Sequence, residues 1–253
     1  MASWQRLAVT FSLAAVLAVA QGCTTVSVRP PTATTSAGPS GSPGSAACIR
    51  GEYRVLPFND QPVSSERLAT IRTIIENRLN AYGVPQPDVQ TQDADRVLVQ
   101  FATLGNGQDA RDLIGSMGRL DFVAVPPARS SEVVVGQPIP ADLPVIFSGD
   151  QIDSAVPGFT STGQLAVDLT FKDEGARIFD EYAAAHFGEQ FAITLDNEVV
   201  SAPVIRATRF GGMAQITGGF TTQAEVNQFV TVLRYGALPN ALEELSFGPC
   251  PDQ

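Results

Sequence analysis

Three cysteines constrain how this 253-residue chain can fold, because two of them stand near opposite ends of the region that can build a core. Cys23 lies close to the N-terminus, whereas Cys48 and Cys250 flank everything between them. If Cys23 is modified, an oxidising compartment makes a Cys48–Cys250 disulfide the natural pairing. Closing a loop of about 200 residues would stabilise the fold by up to roughly 5 kcal/mol. The bond requires the first and last strands to be neighbours; two unpaired thiols are the alternative.

Residues 1–22 have the pattern of a lipoprotein signal peptide. Arg6 supplies the positive charge, and the apolar run of residues 7–20 is too short to span a hydrocarbon core of ~30 Å as a helix. The sequence Ala20-Gln21-Gly22-Cys23 places a cysteine where cleavage would expose it for lipidation. We therefore predict a lipid on Cys23, which would hold the protein on the extracytoplasmic face of the bacterial cell membrane. Plain secretory cleavage and an uncleaved anchor are the alternatives.

Residues 23–47 carry this anchor and then a segment rich in Ser, Thr, Pro, Gly and Ala. The segment has no large apolar side chains whose burial could repay the entropy of ordering, so we expect a disordered linker. Residues 48–253 are left to fold. The formal net charge of the chain is -10, which argues against nucleic acid as a partner.

The first half of the folded region alternates strands and helices. Strands are predicted at residues 51–58, 88–91, 96–101 and 119–125, and helices begin near Ser64 or Ser65 and near Asp109. This β-α-β-β-α-β order is that of a ferredoxin-like sheet with helices on one face.

The second half is a separate unit by its composition. We predict a short strand at 133–135, a short helix at 150–155, a strand at 165–171, a helix from Asp173 and a hairpin turning at Asp196-Asn197. Short strands at 203–205 and 214–216, a helix capped by Thr221 or Thr222, and a last strand at 242–247 follow. The predicted class is α+β: a ferredoxin-like base, completed by the C-terminal helix and strand, with an inserted α+β unit.

Catalytic chemistry is not indicated by any group of residues. His186 is the only histidine, so no second one exists to build a zinc site. Ser201 lacks the Gly-x-Ser-x-Gly elbow of serine hydrolases. The glycine pairs Gly211-Gly212 and Gly218-Gly219 fit turns better than a phosphate loop. We predict no catalytic, cofactor-binding or metal-binding residues and no cofactor, so the chain is not expected to be an enzyme.

Several runs along the chain match a known family in the same order. Ile74 to Val84 (IIENRLNAYGV) is similar to a helix ending Asn-Arg-Val-Asn-x-x-Gly-Val in that family. The most specific runs are VVSAPVI at 199–205, AQITGGFT at 214–221 and LRYGALP at 233–239. Over residues 64–249 the sequence resembles the extracytoplasmic P1 domain of the SecD/SecDF protein-export membrane proteins.

The resemblance implies a base at residues 48–135 and 220–253 and an inserted head at 136–219. It implies a module that binds exported or unfolded polypeptides, or the Sec translocase itself, outside the membrane. The chain departs from the family in ending at Cys250 and the residues after it, where the family continues into membrane helices, and in keeping only Arg50-Gly51 of the family's opening motif. These departures put proton-driven pulling in doubt. The alternative function is an envelope scaffold lipoprotein that has lost the export role.

Overall fold

The computed structural model describes residues 47–58, 62–103 and 107–251 and contains four α-helices and eleven strands within them. The described residues lie within the compact unit Ser42–Gln253. The predictions for the signal peptide, Cys23 and the linker up to residue 46 fall outside them. None of the described helices is both long and apolar enough to cross a bilayer.

The elements are β1 (Ala47–Val55), α1 (Ser65–Tyr82), β2 (Asp88–Gln92), β3 (Arg96–Thr103), α2 (Gln108–Gly115), β4 (Leu120–Ala124), β5 (Val145–Ser148), β6 (Ile152–Phe159), β7 (Leu165–Phe171), α3 (Asp173–Ala185), β8 (Phe191–Leu195), β9 (Glu198–Ser201), β10 (Met213–Thr217), α4 (Gln223–Tyr235) and β11 (Leu242–Pro249). Short 3-10 helices occupy Pro127–Glu132 and Gly149–Gln151.

The longest helices begin and end at residues suited to those places. The Ser64 hydroxyl accepts a hydrogen bond from the Arg67 backbone N–H at the start of α1, and Gly83 ends that helix with a left-handed φ of 93°. At the start of α4, Thr222 and Glu225 form a capping box in which each side chain accepts from the other residue's backbone N–H. Of the predicted alternatives, Ser64 or Ser65 and Thr221 or Thr222, the caps are Ser64 and Thr222.

The first sheet has the strand order β11-β1-β3-β2, and its neighbouring strands are antiparallel. Numbered by position within the sheet, this is the 4-1-3-2 order of a ferredoxin-like fold. The apolar stripe of α1, formed by Leu68, Ile71, Ile75 and Leu79, packs into one core with β1 and β3. The predicted α+β class, with a base completed by the last helix and strand, is confirmed.

The first and last strands of the described residues, β1 and β11, pair with each other. Ile49 lies opposite Pro249, and the Cys250 backbone N–H donates to the Cys48 carbonyl at 2.9 Å. The Cα atoms of Cys48 and Cys250 are 5.3 Å apart and their sulfurs are joined in the structure. The requirement that the first and last strands be neighbours is therefore met.

Strand β4 does not lie in the first sheet, contrary to the predicted β-α-β-β-α-β sheet. It pairs with β5 and β8 in a second sheet of order β5-β4-β8-β9, and β11 takes the fourth place in the first sheet. Leu120 to Val123 are buried on both faces of β4, which suits a central strand. The predicted division between base and head at residue 136 stays a prediction. Strand β4 precedes that residue, but its partners β5 and β8 follow it.

Three further local predictions are wrong. Residues 203–205 form only an isolated bridge between Val204 and Gln190, not a strand. Residues 133–135 form no strand, because the chain turns here: the Gln137 N–H donates to the Val134 carbonyl at 3.1 Å and Gly136 has a φ of 79°. The stretch runs beside β9 with isolated hydrogen bonds such as Gly136 N–H to Val199 C=O. Residues 152–155 belong to β6, not to a helix, because β6 pairs with β7 and turns Ala155 into the core. The third sheet has the order β10-β7-β6.

The second and third sheets share a core of phenylalanine rings. The Phe122 and Phe147 rings stack with centroids 4.3 Å apart, and the Phe171 and Phe179 rings meet them edge to face. Offset-stacked and edge-to-face pairs are the favourable aromatic geometries. Helix α4 adds Val226, Phe229 and Val230 to this core, so it joins the strands of the second half to the first sheet.

Arg78 of α1 is fully buried, and its guanidinium donates to backbone carbonyls of other elements. The acceptors lie at the C-terminal ends of α2 and α4: Leu113 (3.0 Å), Ser116 (2.6 Å), Met117 (3.2 Å) and Gly236 (2.7 Å). Burial lowers the pKa of this guanidinium to about 10, and the nearby Asp196 carboxylate opposes the shift. The carbonyls, together with the negative ends of two helices, compensate the buried charge.

Residues 116–119, the link from α2 to β4, are held on their other side by Asp196. Its carboxylate accepts from the Ser116 hydroxyl at 2.8 Å and from the backbone N–H groups of Gly118 and Arg119 at 3.1 and 2.8 Å. Asp196 and Asn197 have φ of 51° and 72°, as expected for the predicted type I′ hairpin turn between β8 and β9. Asp196 thus forms part of the turn between β8 and β9 and also holds residues 116–119 in place.

We expect Arg78→Ala in the full chain to lower the free energy of unfolding by about 3–5 kcal/mol, because it leaves several buried carbonyls without a donor. Urea denaturation followed by circular dichroism measures this change. The control is Arg72→Ala, which removes an exposed arginine of the same helix whose guanidinium lies 3.7 Å from Glu76. That change should stay within about 0.5 kcal/mol. Equal effects of the two substitutions would contradict the role given to Arg78.

We expect Cys48 and Cys250 of the full chain to resist alkylation under denaturing conditions until a reductant is added. Intact-mass measurement on a Cys23→Ser background, which leaves only these two cysteines, would then show two added alkyl groups only after reduction. Reduction should also lower the free energy of unfolding by at most roughly 5 kcal/mol, because the closed loop restricts the unfolded chain. The urea midpoint should fall accordingly. Labelling of both thiols without a reductant would exclude the crosslink.

Candidate functional site

An apolar groove opens between β10 and the segment formed by residues 203–210. Its volume is about 620 Å³, and it extends from β7 to β8. Its side chains include Phe179, Phe191, Val204, Arg206, Phe210 and Met213. We name this feature the β10 groove.

The two walls of the β10 groove start together and then diverge. The Ser201 hydroxyl at the end of β9 donates to the Thr217 carbonyl of β10 at 3.0 Å. Beyond this contact the chain turns away, and residues 203–205 contact β8 through the bridge of Val204 with Gln190 instead of pairing with β10. The two walls meet again where the Met213 N–H donates to the Phe210 carbonyl at 3.3 Å, so the groove lies between two points of contact.

Glycine pairs bound β10 at both ends. Gly211 and Gly212 have φ of 63° and 77°, and Gly218 and Gly219 have φ of 84° and 81°. These left-handed conformations favour glycine and let the chain turn sharply into and out of a short strand. The glycine pairs are therefore turns, as the sequence indicated.

The floor of the groove belongs to the aromatic core. The Phe210 ring lies 4.7 Å from Phe179, and Phe179 lies 5.4 Å from Phe191, centroid to centroid. The Phe210 backbone N–H donates to the Asp180 carboxylate of α3 at 2.6 Å, which fixes the segment to that helix. The floor is therefore rigid, because its rings pack against the interior of the domain.

The rim is apolar and open to solvent. Met213 is 64% exposed and Val204 is 41% exposed, although both are large hydrophobic residues. Apolar side chains exposed beside an apolar cleft are typical of a binding surface. Burial against a partner would remove them from water.

Charged groups at the groove differ in their pairing. The Asp168 carboxylate accepts from the Gln215 side chain at 2.7 Å. Arg206, which lines the groove, is exposed and forms no ion pair with any residue that the structure describes. The groove thus carries a positive charge without an ion-pair partner among the described residues, in a chain whose net charge is negative.

The residues considered for catalysis lie apart from one another. The His186 ring stacks on Tyr182 with centroids 4.3 Å apart, and its Nδ1 is 2.9 Å from the Glu189 carboxylate. Ser201 is buried and bonded to the Thr217 carbonyl. In the described ranges, no three His, Cys, Asp or Glu side chains come together as metal ligands would.

The perturbed carboxyl groups of the described residues all have a lowered pKa. Hydrogen bonds from Arg129 lower the pKa of Glu132 and Asp142, hydrogen bonds from Arg177 lower that of Glu174, and the Thr221 backbone N–H lowers that of Glu225. These shifts arise from surface ion pairs and a helix cap. A general acid at neutral pH needs a shift in the opposite direction.

Sequence reasoning did not find the groove. Val204, Phe210 and Met213 stand near the predicted strands 203–205 and 214–216, but their exposure depends on the gap between those segments. The one available signal was the spacing of the glycine pairs around a strand of five residues. That spacing indicates a short strand bounded by turns, and gives no sign that its outer side is open.

Comparison with known proteins gives the same family along nearly all of the described residues. Residues 128–240 match the family described as "SecDF, P1 head subdomain", and residues 68–127 match "Protein translocase subunit SecDF, P1 domain, N-terminal". The protein translocase subunit SecD of Rhodobacter capsulatus is 36% identical over 194 residues, covering 70% of this chain and 35% of that protein. The SecDF subunit of Thermus thermophilus is 33% identical over 218 residues, covering 77% of this chain and 30% of that protein. The chain thus spans about a third of the length of these relatives.

Solved structures agree with this assignment. A chain from work on "a membrane component SecDF that enhances protein export" is 30% identical with a TM-score of 0.62, and the match covers 78% of this chain and 98% of that one. SecDF in a super-membrane-facing form gives a TM-score of 0.66 at 28% identity, over 79% of this chain and 30% of that one. The chain therefore belongs to the SecD/SecDF protein translocase family and contains that family's P1 domain with its head subdomain.

Proposed function

We propose that this protein assists protein export by binding unfolded segments of exported polypeptides in the β10 groove, outside the membrane. The observation that carries the proposal is the groove itself, with its rigid phenylalanine floor and its exposed Met213 and Val204. The membership of the chain in a translocase family supports export as the process. The Sec translocase is the proposed partner, because the relatives are named as its subunits.

An unfolded chain fits this groove better than a small molecule does. A small-molecule site encloses most of its ligand and aims several polar groups at it. The β10 groove is open to solvent, and ten of its fourteen lining residues are apolar, the exceptions being Asp168, Thr170, Arg206 and Gln215. Apolar contact of this kind depends weakly on sequence, as a protein that meets many exported chains requires.

The proposal includes attachment of the domain to the membrane through its N-terminus. A lipid on Cys23 followed by a linker up to residue 47 would hold the binding domain near the outer surface of the membrane. Exported chains appear at that surface, so tethering would raise their effective concentration at the groove. We propose an extracytoplasmic, lipid-anchored and non-catalytic module on these grounds.

The scaffold alternative has one observation in its favour. Leu56 and Phe58, in and beside the loop after β1, are exposed large apolar side chains remote in sequence from the groove. A partner that contacted this part of the first sheet would not need the groove. The two functions are therefore separated by substitutions in the groove and in this loop.

We expect the double substitution Val204→Glu and Met213→Glu to weaken binding of an unfolded protein at least tenfold, because each change removes apolar area worth roughly 1.5 kcal/mol or more on burial. The probe is fluorescently labelled α-lactalbumin, kept unfolded by reduction and carboxymethylation, and the readout is fluorescence anisotropy. Both residues are exposed, so the fold should persist. Circular dichroism checks that it does.

The matched control is Phe58→Glu, which introduces the same charge at an apolar residue that is 56% exposed outside the groove. It should bind the probe like the unsubstituted protein. In cells, a photoreactive residue at the exposed Thr208 should crosslink to secretory chains or translocase subunits. Crosslinks to one fixed envelope protein, together with loss of its binding in Phe58→Glu, would support the scaffold function and refute the export role.

A further inference from the structure

Strand β10 is an edge strand with an unpaired outer side. In the sheet order β10-β7-β6 it pairs only with β7. An exposed edge presents backbone N–H and C=O groups that can pair with another chain. The outer side of β10 borders the groove, because Met213, Ala214 and Gln215 line it.

The register identifies which backbone groups point outward. The Phe171 N–H donates to the Gly212 carbonyl at 2.8 Å, which makes Gly212 and Phe171 a hydrogen-bonded pair. Such pairs alternate along an antiparallel ladder, so Ala214 and Ile216 also direct their backbone groups toward β7. Met213, Gln215 and Thr217 direct theirs away from β7, toward the groove.

Part of this outer row is already used. The Met213 N–H donates to the Phe210 carbonyl at 3.3 Å, and the Thr217 carbonyl accepts from Ser201. The Met213 carbonyl, both backbone groups of Gln215 and the Thr217 N–H have no hydrogen-bond partner among the residues that the structure describes. These groups alternate along the strand as a fourth strand would require.

The opposite edge of the same sheet is protected. Strand β6 contains Pro157, which has no N–H, and its pairing with β7 is irregular between Ile152 and Ser154. Pro157 also lies beside α4, near Gln223 and Val230. Proline and irregular pairing are devices that block strand addition, and β10 has neither.

We propose that the polypeptide bound in the β10 groove adds to β10 as a fourth strand of the third sheet. The proposal rests on the proposed function and specifies how the same site recognises its substrate. Every non-proline residue offers the same backbone groups, so this pairing would accept many sequences. Every second side chain of the added strand would lie on the core side of the sheet, over Phe210 and Phe179.

Charge complementarity defines the preferred segment further. Arg206 lines the groove, is exposed, and forms no ion pair within the described part of the chain, whereas Asp168 is held by Gln215. The structure thus favours an extended segment with alternating apolar side chains, an acidic residue within reach of Arg206, and no proline opposite Gln215.

The test uses two substitutions at Gln215 in the full chain. Gln215→Pro removes the outward N–H and places the ring in the path of an added strand, while the β10–β7 ladder keeps its bonds. Gln215→Val keeps the N–H and removes only the side-chain bonds to Asp168 and the Phe159 carbonyl. Both variants lack the glutamine side chain, so their difference isolates the backbone N–H, and we expect Gln215→Pro to bind unfolded α-lactalbumin roughly tenfold or more weakly than Gln215→Val does.

A second measurement does not depend on whether Gln215→Pro folds. A ten-residue peptide with alternating valines and one glutamate is compared, on the unsubstituted protein, with the same peptide N-methylated at each residue. Strand addition predicts binding of the first peptide and a loss of roughly tenfold or more for the second, although the side chains are the same. Arg206→Gln should weaken the glutamate peptide but not its glutamine analogue.

The outcomes separate the two proposals. Strand addition is wrong, and groove binding stands, if the unsubstituted protein binds unfolded α-lactalbumin and neither Gln215→Pro nor N-methylation of the peptide weakens binding. If the unsubstituted protein binds neither α-lactalbumin nor the peptide, the proposed function itself fails.

Discussion

The buried guanidinium of Arg78 is the interaction on which the arrangement of this domain depends. The first sheet is connected to the rest of the molecule by two stretches of chain, the link at 116–119 and the stretch that follows α4. Arg78 donates to carbonyls in both, at Ser116, Met117 and Gly236. The Leu238 N–H adds a direct bond to the Met117 carbonyl at 2.7 Å. Burying a cation that contacts no carboxylate requires such carbonyl acceptors, so one side chain of α1 fixes the C-terminal ends of α2 and α4 against it.

Helix α4 transmits that arrangement to the second half of the domain. It packs against α1 of the first sheet and contributes Phe229 and its neighbours to the phenylalanine core. Asp196 reinforces the same junction from the other side, since it holds the 116–119 link while turning the β8–β9 hairpin. The strands that carry the groove are therefore fixed at both of their connections to the first sheet.

The β10 groove combines a packed aromatic floor with an open strand edge. Its floor is continuous with a close-packed aromatic core, whereas its wall is a strand edge left unpaired and bordered by an exposed methionine. Open edges promote aggregation unless something covers them, and the same sheet protects its other edge with Pro157. The contrast between the two edges of one sheet is the physical reason to regard β10 as a binding element.

The sequence by itself determined the elements with strong local signals. The stripe of α1, the caps at Ser64 and Thr222, and the hairpin at Asp196-Asn197 are encoded within a few residues of one another. The runs shared with the SecD/SecDF family also identified the family to which the chain belongs. Only the tertiary structure decided that β4 pairs with β8, that residues 152–155 continue a strand, and that a groove lies beside β10. An alternating strand fits any sheet with a free edge, and the groove joins residues from 168 to 215 whose proximity no local pattern records.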